Sequence, residues 1–121
     1  MPRFIEVRLV GDGYEVTKTY RYHSSRYDKH ITIHDGFFTD GATMVPDPPN
    51  TDAWVIHDHI CRYGVWDDGS KIDNWTASTI FYDVLIRDGY HGMASMGRIG
   101  TWLLGGGAAR KNGMLPQDLP P

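Results

Sequence analysis

Three closely spaced prolines, Pro46, Pro48 and Pro49, divide this chain into two parts with different residue patterns. Proline lacks a backbone N–H and its ring fixes φ, so this segment is incompatible with a continuous helix or strand. The residues before it alternate between apolar and polar, which is typical of half-buried strands, whereas those after it carry apolar residues at helical spacing. Because strands come first and helices follow, the order predicts an α+β domain with segregated parts.

A hairpin or small antiparallel meander is predicted before the prolines. The segment Gly11-Asp12-Gly13 supplies the residues that tight turns prefer, and it separates two stretches rich in apolar, β-branched and aromatic residues. Ile31 and Ile33 alternate with polar residues in a third stretch. The predicted strands span residues 3–10, 14–22 and 29–34.

Three helices are predicted after the prolines. Thr51 or Asp52 is a suitable N-cap for the first, and Gly64 and Gly89 follow the first and second as helix stops. The predicted helices span residues 52–63, 72–88 and 92–104. We therefore expect the strands to pack on three C-terminal helices.

Three consecutive glycines, residues 105–107, follow the last predicted helix. Ordering glycine costs more backbone entropy than ordering any other residue, and few apolar anchors follow. We therefore predict a single domain over residues 1–105, and an extended arm over residues 106–121 that is flexible or used in assembly.

Composition and charge restrict the class of protein. With 121 residues the chain has room for one core, and its net charge of -3 argues against a nucleic-acid binder that relies on a basic surface. Its single cysteine, Cys61, excludes an intrachain disulfide. It has neither the apolar run of a signal peptide nor the roughly 20 apolar residues that span a bilayer. We expect a protein made in the cytoplasm, without a nucleic-acid partner or a membrane span.

The first predicted helix carries an adjacent His57-Asp58 pair beside its apolar face. Polar groups are costly to bury without partners, so this pair is a candidate site, with His57 as a general base or metal ligand. The alternative is structural: His57 is a semi-buried histidine whose hydrogen bonds are satisfied, and Asp58 pairs with Arg62 one turn on. Cys61 shares this stripe, and a small buried core cysteine is the favoured interpretation.

The block from Gly36 to Pro46 favours a site. Gly41 permits positive φ directly after Asp40, so the block has the makings of a rigid turn that aims the Asp40 carboxylate. If it is aimed at the first helix, Asp40, His57 and Asp58 form a mixed nitrogen and oxygen site for one divalent cation, Zn²⁺, Mg²⁺, Mn²⁺ or Ca²⁺. The alternative is that Asp40 hydrogen-bonds its own backbone in the turn.

These motifs resemble those of a phage and prophage family, the domain-of-unknown-function family 1353. The family's first block is matched by Gly36, Phe37, Thr39, Asp40, Gly41, Ala42, Thr43 and Pro46, with Thr43 in place of a serine. Its helical His-Asp is matched by His57 and Asp58, and its last pattern by Ala77, Phe81, Leu85 and Gly89. The resemblance implies a phage or prophage origin and a chain of similar length, but no particular reaction.

Two positions depart from the family pattern. The family's aspartate on the second helix falls at Ser78, and the aromatic residue that follows its His-Asp falls at Cys61. If that aspartate orients the histidine or binds metal, this chain lacks one group of the site. The departure favours a structural role for the polar centre.

Two functions follow, and the sequence leaves open whether the protein is an enzyme. The first is a metal-dependent hydrolase acting on host envelope material, with His57 and Asp58 catalytic and Asp40 as a further ligand. The second is a tail, neck or capsid component or assembly protein, in which the Asp/His cluster is structural. Its partners would be other phage proteins or further copies of itself. In both cases synthesis is in the host cytoplasm, and in the second the protein ends in the virion.

Overall fold

The computed structural model describes residues 2–39 and 50–94. These residues form five strands, two helices and a helical turn at 91–94, so the fold class is α+β, as predicted. The elements in chain order are β1 (Val7–Val10), β2 (Gly13–Val16), β3 (Tyr20–Ser24), β4 (Lys29–Ile33), β5 (Phe38–Thr39), α1 (Ala53–Tyr63) and α2 (Asn74–Arg87).

The strands form two small antiparallel sheets. One has the order β1-β2-β5 and the other pairs β3 with β4. The β1–β2 hairpin is confirmed, with Leu9 opposite Tyr14 and Gly11 at φ 59 in the turn, a backbone conformation that glycine adopts without strain. Because β2 is the central strand, β1 has one edge that pairs with no other strand among residues 2–39 and 50–94.

The predicted strand 14–22 is wrong in one respect, because the chain breaks it into β2 and β3 in different sheets. Val16 bonds the backbone of the later turn, its N–H reaching the Phe37 carbonyl at 2.8 Å. The Thr19 hydroxyl then donates to Asp35 at 3.0 Å. These long-range contacts turn the chain between Val16 and Tyr20, although the β-branched residues there favour a continuous strand.

The first strand is shorter than predicted. It begins at Val7 because the N–H groups of Arg3, Phe4 and Ile5 all donate to one oxygen of Asp52, at 2.8, 2.9 and 3.0 Å. Amides that converge on a carboxylate are not available to a strand ladder. A tertiary contact therefore overrides the alternating pattern in this segment.

Both described helices match the predicted ones closely. Helix α1 ends at Tyr63 and is followed by Gly64 at φ 65. Its N-cap, Asp52, makes no side-chain capping bond, and the Thr51 hydroxyl accepts from Ala53 N at 3.2 Å. Helix α2 begins two residues later than predicted because the Asp73 side chain accepts from the N–H of Thr76.

Apolar residues from both sheets and both helices share one core. The Tyr14 and Trp54 rings meet edge to face at 5.5 Å and join β2 to α1. Fully buried members include Val16, Ile31, Ile33, Val55, Ile56, Ile60, Ile80, Val84 and Leu85. Helix α1 packs against α2, and its half-buried polar residues His57 and Asp58 lie at the margin of the core.

Some predictions fall outside the described residues. These are Asp40, most of the third helix and the arm over 106–121. Within residues 2–39 and 50–94, no helix has the length and apolar character needed to cross a membrane.

Candidate functional site on helix α1

His57 lies on the side of α1 that meets α2. Its ring packs edge to face against Phe81, with centroids 5.5 Å apart, and its Nδ1 is 3.7 Å from the sulfur of Cys61. Burial lowers the pKa of His57 to about 4, so the ring is neutral at pH 7. A neutral imidazole has one nitrogen free to accept a proton or a metal ion.

Cys61 is a buried thiol beside this histidine. Burial, and secondarily the nearby Asp58 carboxylate, raise the pKa of Cys61 to about 12. The thiolate is the reactive form of cysteine, and it is scarce at neutral pH under these conditions. The Cys61–His57 contact is therefore a packing contact between neutral groups, in agreement with the interpretation of Cys61 as a core residue.

Asp58 and Trp54 complete the polar stripe. Asp58 is half-buried and close enough to Cys61 to act on its titration. The indole of Trp54 is 4% exposed, and its Nε1 has no hydrogen-bond partner in the part of the chain that the structure describes. An unpaired buried donor is costly, so this N–H marks a place that an acceptor would stabilise.

The metal site predicted from Asp40, His57 and Asp58 stays a prediction, because Asp40 is not among the described residues. Residues 2–39 and 50–94 contain no group of three or more His, Cys, Asp or Glu side chains arranged to hold a metal ion. The donor chemistry nevertheless fits, since a neutral imidazole and a carboxylate lie adjacent on α1. A third ligand would have to come from elsewhere.

Ser78 stands where the sequence comparison with the family placed an aspartate. It is fully buried on α2, and its hydroxyl donates to the Asn74 carbonyl one turn earlier at 3.2 Å. The hydroxyl is satisfied within its own helix and lies one turn before Phe81, the residue that contacts His57. The position is thus on a buried face, and a charged residue there would need a partner.

Arg62, which the structural alternative names as the partner of Asp58, also contacts the strand side of the domain. Its guanidinium lies over the Phe37 ring at 5.1 Å and donates to the Phe38 carbonyl at 3.2 Å. These contacts tie the exposed side of α1 to β5.

A second polar cluster was missed by sequence reasoning. Asp52 and Asp88 are both buried, and Arg87 bridges them, with Nη2 2.6 Å from Asp52 Oδ2 and Nε 2.9 Å from Asp88 Oδ1. Asp88 also accepts from the Thr51 hydroxyl at 2.6 Å and from the Asp52 amide at 3.1 Å. Burial raises the pKa of Asp88, but the bonds from Arg87 and Thr51 outweigh it and hold that pKa below its usual value.

These carboxylates are structural. The side chains of Asp52 and Asp88 are fully shielded from solvent and each oxygen has at least one donor, so neither carboxylate is accessible to a substrate. The available signal was the charged pair Arg87-Asp88 directly before the helix-stopping glycine. That local signal does not predict a contact with Asp52, which lies 35 residues earlier in the chain.

A family model described as "Protein of unknown function (DUF1353)" matches residues 14–96 of the chain. The match covers both described helices, the strands from β2 onward and the block that contains Asp40. Neither the search of curated proteins nor the search of solved structures returned a match.

Proposed function

The chain belongs to the DUF1353 family, and from its surface and its polar centre we propose that it is a small phage- or prophage-encoded assembly protein. In this proposal it is a tail, neck or capsid component that contacts other phage proteins or further copies of itself. The polar groups around His57 are structural. The phage assignment comes from the motif resemblance and not from the geometry.

The observation that carries the proposal is an exposed apolar end on the three-stranded sheet. Leu9 is 71% exposed, Val10 38% and Phe38 41%, and they lie on the two outer strands of one sheet, with Leu9 on one face and Val10 and Phe38 on the other. Leu9 shares a face with buried Val16, so the inner face of the sheet extends beyond the core it covers. Leu9 and the edge of β1, which pairs with no further strand among the described residues, form a surface that a protein partner would cover.

The packing of the polar centre supports the same proposal. His57 is neutral and lies against Phe81, Cys61 is a thiol, and Asp52 and Asp88 are committed to Arg87. Groups arranged in this way stabilise a fold and need no substrate. Ser78, in place of the family's aspartate, further favours a structural centre in this chain.

The test has two parts. Mass spectrometry of purified particles from the phage or prophage that encodes the chain should find it as a particle component, and its absence would contradict the proposal. Leu9→Ser should then abolish incorporation while the protein still folds, since Leu9 is exposed. Trp75→Ser, which changes an exposed aromatic residue on α2, is the matched control and should leave incorporation unchanged.

A metal-dependent hydrolase acting on host envelope material is the second candidate. The Trp54 N–H, which has no partner among the described residues, and the neutral His57 lie three positions apart on α1 and favour it, because a donor and a base on one helix face suit a substrate oxygen and its proton. In this candidate His57 is the base or a ligand, and Asp58 and Asp40 hold one divalent cation.

Metal analysis of the purified protein separates the two candidates. The hydrolase requires about one bound Zn²⁺, Mg²⁺, Mn²⁺ or Ca²⁺ per chain. The variants Asp40→Ala and His57→Ala should then lose both the bound metal and the hydrolysis of envelope material. A protein free of metal that incorporates normally into particles when Asp40 is replaced excludes the hydrolase.

A further inference from the structure

A cleft beside the C-terminal half of α1 has no role in the proposed function. It has a volume of about 580 Å³ and lies between the turn after β4, the C-terminal half of α1 and the loop that follows α1. Its size is within the range typical of small-molecule sites. It is lined by His34, Asp35, Phe37, His59, Tyr63 and Asp67, among others.

Aromatic rings form one wall of the cleft. The His59 ring lies 4.7 Å from the Tyr63 ring at an angle of 48°, and it meets Phe37 edge to face at 5.0 Å. Phe37 is buried, whereas Tyr63 is 56% exposed and so presents a ring to a bound molecule. A flat, partly exposed aromatic ring is a platform for a ligand that has an apolar face.

His59 is the polar group built into this wall. It is only 8% exposed, and its Nδ1 has no hydrogen-bond partner among the described residues. A neutral imidazole has one nitrogen that donates and one that accepts a hydrogen bond, which matches a hydroxyl group.

The charges around the cleft are mixed. Asp67 is held by the amide and hydroxyl of Thr32 and lies 3.5 Å from Arg21. Asp35 accepts from the Thr19 hydroxyl, and Arg62 lies over Phe37 on the aromatic wall. Because negative carboxylates and positive guanidinium groups are both present, the cleft has no strong electrostatic field of one sign that would select an ion. These groups offer hydrogen-bond donors and acceptors.

We propose that this cleft binds a neutral sugar ring, with one C–H face stacked on Tyr63 and its hydroxyl groups bonded to His59 and the neighbouring carboxylates. A pyranose combines an apolar face with hydroxyls that donate and accept, as the lining requires. A cationic amine would find the guanidinium of Arg62 near the aromatic wall, and an anion would meet Asp35 and Asp67.

Saturation-transfer NMR on the full chain tests the proposal, with glucose, galactose and N-acetylglucosamine as probes and ethylammonium and benzoate as charged comparisons. At least one sugar should receive saturation, strongest on the protons of one ring face. Tyr63→Ala should weaken its binding at least tenfold, while Tyr63→Phe, which keeps the ring, and Trp75→Ala, which removes an exposed aromatic ring outside the cleft, should leave it unchanged.

His59→Gln supplies the second variant, because glutamine keeps a donor and an acceptor but not the ring position, and it should also weaken binding. Each variant is checked for folding by circular dichroism, and Tyr63→Leu replaces Tyr63→Ala if the latter unfolds. The proposal is overturned if none of the three sugars binds, if ethylammonium or benzoate binds more tightly than every sugar, or if Trp75→Ala weakens binding as much as Tyr63→Ala. Incorporation into particles is measured separately, so either proposal can fail alone.

Discussion

Asp52 and Arg87 meet at 2.6 Å between Oδ2 and Nη2, and this contact joins the start of α1 to the end of α2. The other Asp52 oxygen gathers three consecutive amides of the N-terminal segment. One fully buried carboxylate thus fixes three parts of the chain. Its desolvation is costly, and the contacts must be complete to offset that cost.

Asp52→Ala is therefore expected to destabilise the domain strongly, by about 3–5 kcal/mol, because it leaves three amides without their acceptor and removes one of the two carboxylates that Arg87 bridges. Urea unfolding followed by circular dichroism measures the loss. The control is Glu6→Ala, since Glu6 is exposed and its ion pair with Lys18 is long, at 3.9 Å, so it should change stability by less than about 1 kcal/mol. Equal losses in the two variants would show that the Asp52 cluster contributes no more than a surface pair.

Stability should fall as the pH drops from about 6.5 to about 4. His57 and His59 have folded-state pKa values of about 4, below the usual 6.5, because burial disfavours the charged ring. In this window the unfolded chain takes up protons that the folded chain does not. The stabilisation that the two neutral histidines provide is therefore complete above pH 6.5 and is lost on acidification. The expected decrease in the free energy of unfolding is of the order of 1–3 kcal/mol per histidine.

Urea unfolding near neutral pH and near pH 5 measures this dependence. His59→Gln should reduce the slope with pH, whereas His91→Gln, which changes an exposed histidine, should not. An unchanged slope in His59→Gln would contradict the burial argument. Asp88 acts in a separate window: its folded pKa is depressed, so its stabilisation is present above its usual value of 3.8 and lost only below it.

Local chemistry made the helices and the hairpin predictable, and long-range contacts account for the errors. Gly64 and the residues 11–13 act through their own backbone, so their effect is visible in the sequence. The shortened β1 depends on the hydrogen bonds to Asp52, which is 47 residues from Ile5. No local sequence pattern predicts a contact over that distance.

The candidate site was predictable in the same partial way. Helical periodicity placed His57 and Asp58 correctly at the edge of the buried face. The next histidine on the helix, His59, packs against Tyr63, with ring centroids 4.7 Å apart. Its role as a wall of a cleft depends on the turn after β4, which comes from a distant part of the chain.

Cys61 should resist thiol reagents in the folded protein. Its side chain is buried and its pKa is raised to about 12, so both access and thiolate fraction are low. Labelling with a thiol-reactive disulfide at mildly alkaline pH should be slow in buffer and fast in denaturing urea. Rapid labelling of the native protein would contradict this, and would reopen a nucleophilic role for the Cys61–His57 pair.

Gly13→Ala should destabilise the sheet that carries the exposed apolar surface. A Cβ on Gly13 would lie 2.5 Å from Phe38 Cζ and 2.5 Å from the Thr39 carbonyl oxygen, both far inside contact distance. The ring can move, but the carbonyl belongs to the β2–β5 ladder, so the strands must separate. We expect a loss of about 1–3 kcal/mol, typical of overpacking, measured by urea unfolding.

Gly92→Ala is the matched control, because nothing lies within 4 Å of its added Cβ, and it should be neutral or slightly stabilising. Removing the ring as well, in Gly13→Ala with Phe38→Ala, should restore only part of the loss, since the Thr39 oxygen remains. Full recovery would show that the ring alone makes the close approach.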